Sequence, residues 1–369
     1  MADYLTQAAP RPMRADDVAH GGARQLLTRR LADIVCLPSS RVTPQERWMV
    51  ADVLEELLRN AEPDLRAKVA RRLAEQAEAP LGLLRRLALD AYEIAAPILQ
   101  RSQALSDFDM VDIAERGDHE HRIALARRET VTETVCGALA STGDEVVIAA
   151  LLRNEGAALA PQTIDQLATI ASHNTDICRL LIRRRETRPH QAFSLFWECD
   201  HDLRRMILER FSAGRSILQE AAADVFPLAA KEAVPDAAVA AALTYIDRRQ
   251  RDRGANDESP LGGLEGVVEI AGRKGFDDAL RREAARVTNI EPDLLDRIID
   301  DFSGEPAAVL AKATGLSRKH FELLLDGCPH IETDAARENV TLVFDTLSVD
   351  KAQTVLRYWN WGHARVDNA

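Results

Sequence analysis

The residues in this chain best suited to chemistry are arginines. They close short segments that echo one another: Val69-Ala70-Arg71-Arg72, Ile98-Leu99-Gln100-Arg101, Leu125-Ala126-Arg127-Arg128, Leu151-Leu152-Arg153-Asn154, Leu181-Ile182-Arg183-Arg184 and Ile207-Leu208-Glu209-Arg210. A guanidinium is a planar fork of donors that matches a carboxylate or a phosphate. If the segments stack, Arg72, Arg101, Arg128, Arg184 and Arg210 form one row, with Arg71, Arg127 and Arg183 beside it. Such a row suits an acidic or amphipathic segment of a protein partner. The same residues have a structural reading: each ends a helix, where a cation complements the dipole and can pair with an acid at the start of the next repeat. Of the two sets, Arg71, Arg127 and Arg183 are expected to face solvent.

A second candidate is Gly315-Leu316-Ser317-Arg318-Lys319-His320, spaced like a helix-turn-helix, in which Arg318, Lys319 and His320 would lead a DNA-reading helix. Its tandem sibling, 26 positions earlier, carries Glu291, Asp293, Asp296, Asp300 and Asp301, which repel phosphate, so a shared helical hairpin explains both copies. His119-Glu120-His121 and Cys199-Asp200-His201-Asp202 hold metal-capable side chains, yet neither has a second cluster at zinc spacing, and both fall where a repeat junction places polar residues. No local catalytic signature is present, and Gly262-Gly263 reads as a turn. Trp359 completes the apolar face of Val349, Ala352, Val355 and Leu356, whereas Trp361 is either core or a terminal aromatic anchor for a partner.

The elements that must carry these residues follow from the repeat itself. The leading apolar residues are 29, 27, 26, 30 and 26 positions apart, a period that marks stacked helical units. Five units place an acid five residues before that anchor (Asp64, Glu93, Glu120, Asp176, Asp202), and the fourth has Glu145, so each unit opens with a short helix, acid first and base last. Second helices are announced by Pro80, by the capping box Ser106-Asp107-Phe108-Asp109, by Thr132, Pro161 and Pro189. Two short helices per unit cannot hold themselves together in water, so they must stack. The expected fold is therefore all-α: a HEAT-like helical-repeat solenoid followed by a C-terminal helical domain. Its parts run as a disordered lead-in (1–25), capping helices (26–60), six repeats (61–214), connecting helices and linker (215–258), a domain with tandem helix-turn-helix hairpins (259–330) and a terminal hairpin (331–369).

Composition narrows the function. The 369 residues carry a net charge of −12, distributed as zero over 1–60, −4 over 61–210 and −8 over 211–369, which disfavours general binding to nucleic acid or anionic membranes. Five cysteines stand singly, with no C-x-x-C pair, and read as buried thiols of a reducing compartment. No apolar stretch is long enough to span a bilayer, so a cytoplasmic protein is expected, with no cofactor and no metal.

Three stretches, Ser106-Asp107-Phe108-Asp109-Met110-Val111-Asp112-Ile113, His121 to Arg128, and Gly304-Glu305-Pro306 with Gly315-Leu316-Ser317-Arg318, resemble a bacterial domain-of-unknown-function family numbered 2336, found mainly in alphaproteobacteria. The likeness covers roughly residues 26–330 and brings no catalytic residues to carry over. More distantly the arrays are similar to HEAT-like proteins, mostly protein-binding scaffolds and occasionally duplex binders, as in alkylated-base DNA glycosylases. The expected role is a non-enzymatic protein-interaction scaffold, and the alternative is nucleic-acid binding through the Arg row or the 315–321 turn.

Overall fold

The second, fourth and fifth repeats contribute apolar residues at four positions of their first helices, one turn apart in pairs: Ile94, Ala95, Ile98 and Leu99, then Val147, Ile148, Leu151 and Leu152, then Ile177, Cys178, Leu181 and Ile182. All are buried. That stripe, with charged residues on the remaining surface, makes each helix amphipathic at the helical period. The chain is accordingly helical. In the computed structural model, which describes residues 22–214, 216–232, 236–246, 253–331 and 333–366, no strand is present among the described residues, and a single bridge joins Val131 to Ala157.

The chain divides into two compact units, Met1–Leu167 and Ala168–Ala369. The first opens with α1 (Gly22–Val35) and α2 (Pro44–Arg59), the latter begun by the expected capping box of Thr43 and Glu46 with Pro44 at the first helical position. Three repeats follow, each with a first helix, α3 (Pro63–Leu73), α5 (Tyr92–Arg101) and α7 (His119–Ala126), and a second, α4 (Leu81–Ala88), α6 (Asp107–Arg116) and α8 (Glu133–Ser141). A further first helix, α9 (Glu145–Arg153), is followed by α10 (Pro161–Ala171), within which the division falls. First helices pack on one another in succession, α3 on α5, α5 on α7 and α7 on α9, while α6 packs on α8.

The second unit continues the pattern with α11 (Thr175–Arg183), α12 (Pro189–Leu195) and α13 (His201–Phe211), then α14 (Ser216–Ala221), α15 (Val225–Ala229), α16 (Ala237–Ile246) and α17 (Arg253–Asp257). It closes with α18 (Gly263–Lys274), α19 (Asp278–Thr288), α20 (Pro292–Ile299), α21 (Glu305–Thr314), α22 (Arg318–Gly327), α23 (Asp334–Thr346) and α24 (Val349–Val366). Helix α21 is the hub: it packs on α20, α22, α23 and α24, and Ala307, Ala308, Val309, Leu310, Ala311 and Ala313 are all buried. A run of small and branched residues lets four neighbours approach one short helix closely.

The tandem hairpins are repeats in geometry as well as in sequence. Helices α19 and α21 both end on a residue in the left-handed region, Asn289 at φ 52° and Gly315 at φ 72°, 26 positions apart. In both, the amide of the following residue returns to the carbonyl five back, Ile290 to Ala285 (3.1 Å) and Leu316 to Ala311 (2.9 Å). This is the Schellman closure, and it explains why glycine or asparagine stands at that position. Helix α1 begins at Gly22, inside the expected lead-in. The remainder of that lead-in, residues 248–252 of the expected linker (248–260) and the side chain of Trp361 lie outside the described residues, and the linker's next five residues form α17 rather than a loop.

Candidate functional site

The arginines of these segments fall into two sets with different fates. In three of the segments the residue three beyond the anchor reaches backward to carbonyls. Arg128 donates to the carbonyls of Leu99 and Ser102 (2.7 Å to the latter), Asn154 to those of Ala126 (2.8 Å) and Arg128 (2.7 Å), and Arg210 to those of Ile182 and Arg184 (3.0 Å). The last carbonyls of a helix have no partner within it, and a forked donor from the next repeat supplies one. Arg72 and Arg101 instead make ion pairs, with Asp33 and with Glu75 (3.8 Å), and Arg184 pairs with Glu186 (2.7 Å). Where the sequence suggested an acid at the start of the following repeat, Arg128 and Arg210 bind the carbonyl end of the preceding helix. The reason is reach: the carbonyls lie directly beside the next helix's last residue.

The residue two beyond the anchor points outward. Arg71, Arg127 and Arg183 are exposed and make no ion pair among the described residues. Arg153 shares that register and that exposure. It was missed because it is followed by Asn154 rather than by a second arginine, although its position in the repeat gives it away.

The histidine clusters serve junctions. His121 is buried, with Nδ1 2.6 Å from Asp118 and Nε2 2.9 Å from the carbonyl of Asp90, so both ring nitrogens are engaged. His121's hydrogen bond is the main reason that the Asp118 carboxyl sits below its ordinary range. His119 reaches Asp144, which caps α9. The caps themselves form a register the acid pattern did not reveal: Asp118, Asp144, Asn174 and Asp200 stand seven residues before their anchors, two before the acid noted in the sequence, or one in the case of Asp144. Among the described residues no group of three or more His, Cys, Asp or Glu side chains is placed to hold a metal ion.

The most elaborate polar arrangement was not anticipated. At the stripe position that is Ala95, Ile148 and Cys178 in other repeats, α13 carries Arg204, which has no solvent exposure. Its Nη1 and Nη2 grip Asp301 at 2.6 and 3.0 Å; Nη1 also donates to the Ser303 hydroxyl and lies 3.4 Å from Glu305. The remaining donors reach the carbonyls of Cys199 (2.9 Å) and Trp197 (3.0 Å). Phe196 and Phe302 cover the guanidinium faces, at 4.8 and 4.7 Å from their ring centres. Burial works against the Asp301 charge, but Arg204 and the Ser303 donors outweigh it and hold the carboxyl below its ordinary range. His201 closes the set on the other oxygen of Glu305.

Local backbone prepares this centre. Asp301 accepts from the amides of Ser303 (3.0 Å) and Gly304 (3.1 Å) in a tight turn before α21. Gly304 lies at φ 81°, and a Cβ there would stand 2.4 Å from Ile331 Cδ1, so both conformation and space demand glycine. On the other side, Trp197 and Phe196 lie tilted against Trp359, with ring centres 4.8 and 5.0 Å away, and Arg297 lies over Trp197 (4.4 Å). Trp359 is thus core, beside Ala352, Val355 and Leu356, while Val349 is exposed and not part of that face. With its charge matched and its donors engaged, Arg204 fixes α13 against the turn between α20 and α21. Arginine holds the same position in the first and third repeats, as half-buried Arg66 and Arg122, so what sets Arg204 apart is its complete burial, which the sequence does not display.

The basic residues after Gly315 stand among acids. Arg318 pairs with Asp345 (2.9 Å) and Glu322 (3.5 Å), and His320 lies 3.5 Å from Glu269. Lys319 is exposed.

What the geometry defines is an all-helical protein whose polar residues serve helix ends and one buried ionic centre. The chain belongs to DUF2336, a family of uncharacterised proteins conserved in bacteria, whose model matches residues 94–357. The match runs from within α5 to halfway along α24, Arg204, Asp301 and Glu305 included, and starts later and ends further on than the 26–330 expected from the motifs. No curated protein and no solved structure matches the chain. None of the described helices is long and apolar enough to cross a membrane.

Proposed function

We propose that this protein is a non-enzymatic scaffold of the cytoplasm, its repeats stacked as a HEAT-like solenoid, and that the outward arginines bind an acidic or amphipathic segment of a protein partner. One observation carries the reading: Arg71, Arg127, Arg153 and Arg183 share a register, are exposed and make no ion pair among the described residues, whereas the adjacent row is engaged in structure. In a chain of net charge −12, four exposed cations recurring at one repeat position are a local exception suited to negative partners.

The test is capture from nuclease-treated native lysate by the full chain and by a variant with Arg71, Arg127 and Arg183 changed to Glu. The scaffold reading expects a protein retained by the natural chain and lost with the reversal, at unchanged helicity and melting temperature. If melting falls along with capture, those arginines hold repeats together. Nucleic-acid binding is the second reading of the same row, and the acids around Arg318 and His320 weigh against its helix-turn-helix form. It expects capture that vanishes with nuclease and a log–log salt slope of about −0.9 per phosphate neutralised.

A further inference from the structure

Two of the five cysteines, 21 positions apart in sequence, meet in the fold. Cys178 lies in the first turns of α11 and Cys199 immediately precedes Asp200, the cap of α13, so successive repeats bring their helix starts together. The sulfurs are 3.2 Å apart, and both residues are buried. Two thiols at that distance are closer than ordinary packing of unbonded sulfur and need to approach by only about 1 Å to reach the roughly 2.05 Å of a disulfide.

We propose that Cys178 and Cys199 form a redox-active dithiol that hydroperoxides convert to a disulfide. The Cys178 thiolate attacks the distal oxygen of the hydroperoxide. The O–O bond breaks, and the alkoxide or hydroxide leaves as alcohol or water after taking a proton. The sulfur of Cys199 then attacks the resulting sulfenic sulfur; the S–S bond forms, the S–O bond breaks, and water leaves with the Cys199 proton. In sum, two thiols and one hydroperoxide give a disulfide, an alcohol or water, and water.

The roles follow from the surroundings. A hydrogen bond from Cys199 stabilises a thiolate on Cys178 and lowers its pKa, while Cys199, beside that charge, is raised and stays a thiol. Cys178 also sits at the positive end of α11. The other cysteines lack this pairing. Burial pushes Cys328 up to about 12, Cys136 is buried with its sulfur 3.7 Å from the carbonyl of Val131, and Cys36 is half-buried and raised by burial. The carbonyl of Cys199 accepts from Arg204, so the bond would form at the edge of the buried ionic centre.

The experiment treats the full native chain with hydrogen peroxide in modest molar excess, denatures it under an alkylating agent and maps the peptides. The proposal expects the free thiol count to fall by two, a cross-linked 178–199 peptide lighter by two hydrogens, recovery with a dithiol reductant, and full alkylation of Cys136 and Cys328. In Cys199→Ser, Cys178 should stop at the sulfenic acid and be trapped by a dimedone probe, while in Cys178→Ser, Cys199 should remain a thiol at the same dose. Cys178 and Cys199 alkylated as fully as Cys136 and Cys328, or oxidised to sulfinic acids without a cross-link, would overturn it. Should either serine variant fail to fold, the peptide map of the natural chain decides alone.

Discussion

Asp301 shows how a single residue commits the second unit to its structure. It is held ionised by a fully buried arginine and by three donors of its own turn, so its loss leaves Arg204 facing only Glu305 at 3.4 Å. Asp301→Asn is expected to cost about 3 kcal/mol at neutral pH, the low end for breaking a buried pair because one carboxylate remains. The sign of the pH dependence follows from the lowered carboxyl. Stability supplied by a depressed acid is full above its unfolded value, about 3.9, and is lost as pH falls through the folded one. Denaturant titrations of the two chains should therefore differ by a constant amount above about pH 5 and converge below about pH 4. A gap that persists undiminished at pH 3 would place its origin in packing.

At the scale of elements, Gly315 isolates one backbone effect. It sits at φ 72°, and a Cβ added there would meet nothing within 4 Å, so Gly315→Ala brings no clash and only the left-handed penalty of about 1 kcal/mol. Chemical denaturation should register that cost, and Asn289→Gly at the matching turn should be neutral or slightly stabilising. Elements such as these were legible in the sequence because their signals are local. The Thr43 and Ser106 capping boxes, the prolines at helix starts and the tandem turns are written within four or five residues. The Arg204 centre was not, since Arg204 and Asp301 are 97 residues apart and only the fold makes them neighbours. The same applies to Cys178 and Cys199, which look solitary along the chain. The acids stand in the first turn as their spacing implied, but the caps went unread, because a quieter Asp or Asn precedes each conspicuous acid.

At the largest scale, the backward reach of Arg128 and Asn154 in the first unit, and of Arg210 in the second, gives the repeats of each unit a direction. Each of these bonds is made by a later repeat to an earlier one. Removing Asn154 by an alanine substitution should accordingly speed amide exchange in the last turn of α7, upstream, more than in α9, which carries the change; equal or opposite effects by hydrogen-exchange mass spectrometry would refute the asymmetry. The arrangement also bears on how such a chain can lengthen or shorten. A unit dropped from the upstream end leaves the survivors fully closed, with one idle side chain at their head. Dropping one downstream strips the final carbonyls of the unit left behind. The array therefore has an expendable end and an end that must be stoppered, and growth by duplication is tolerated best where the new copy brings its own stopper with it.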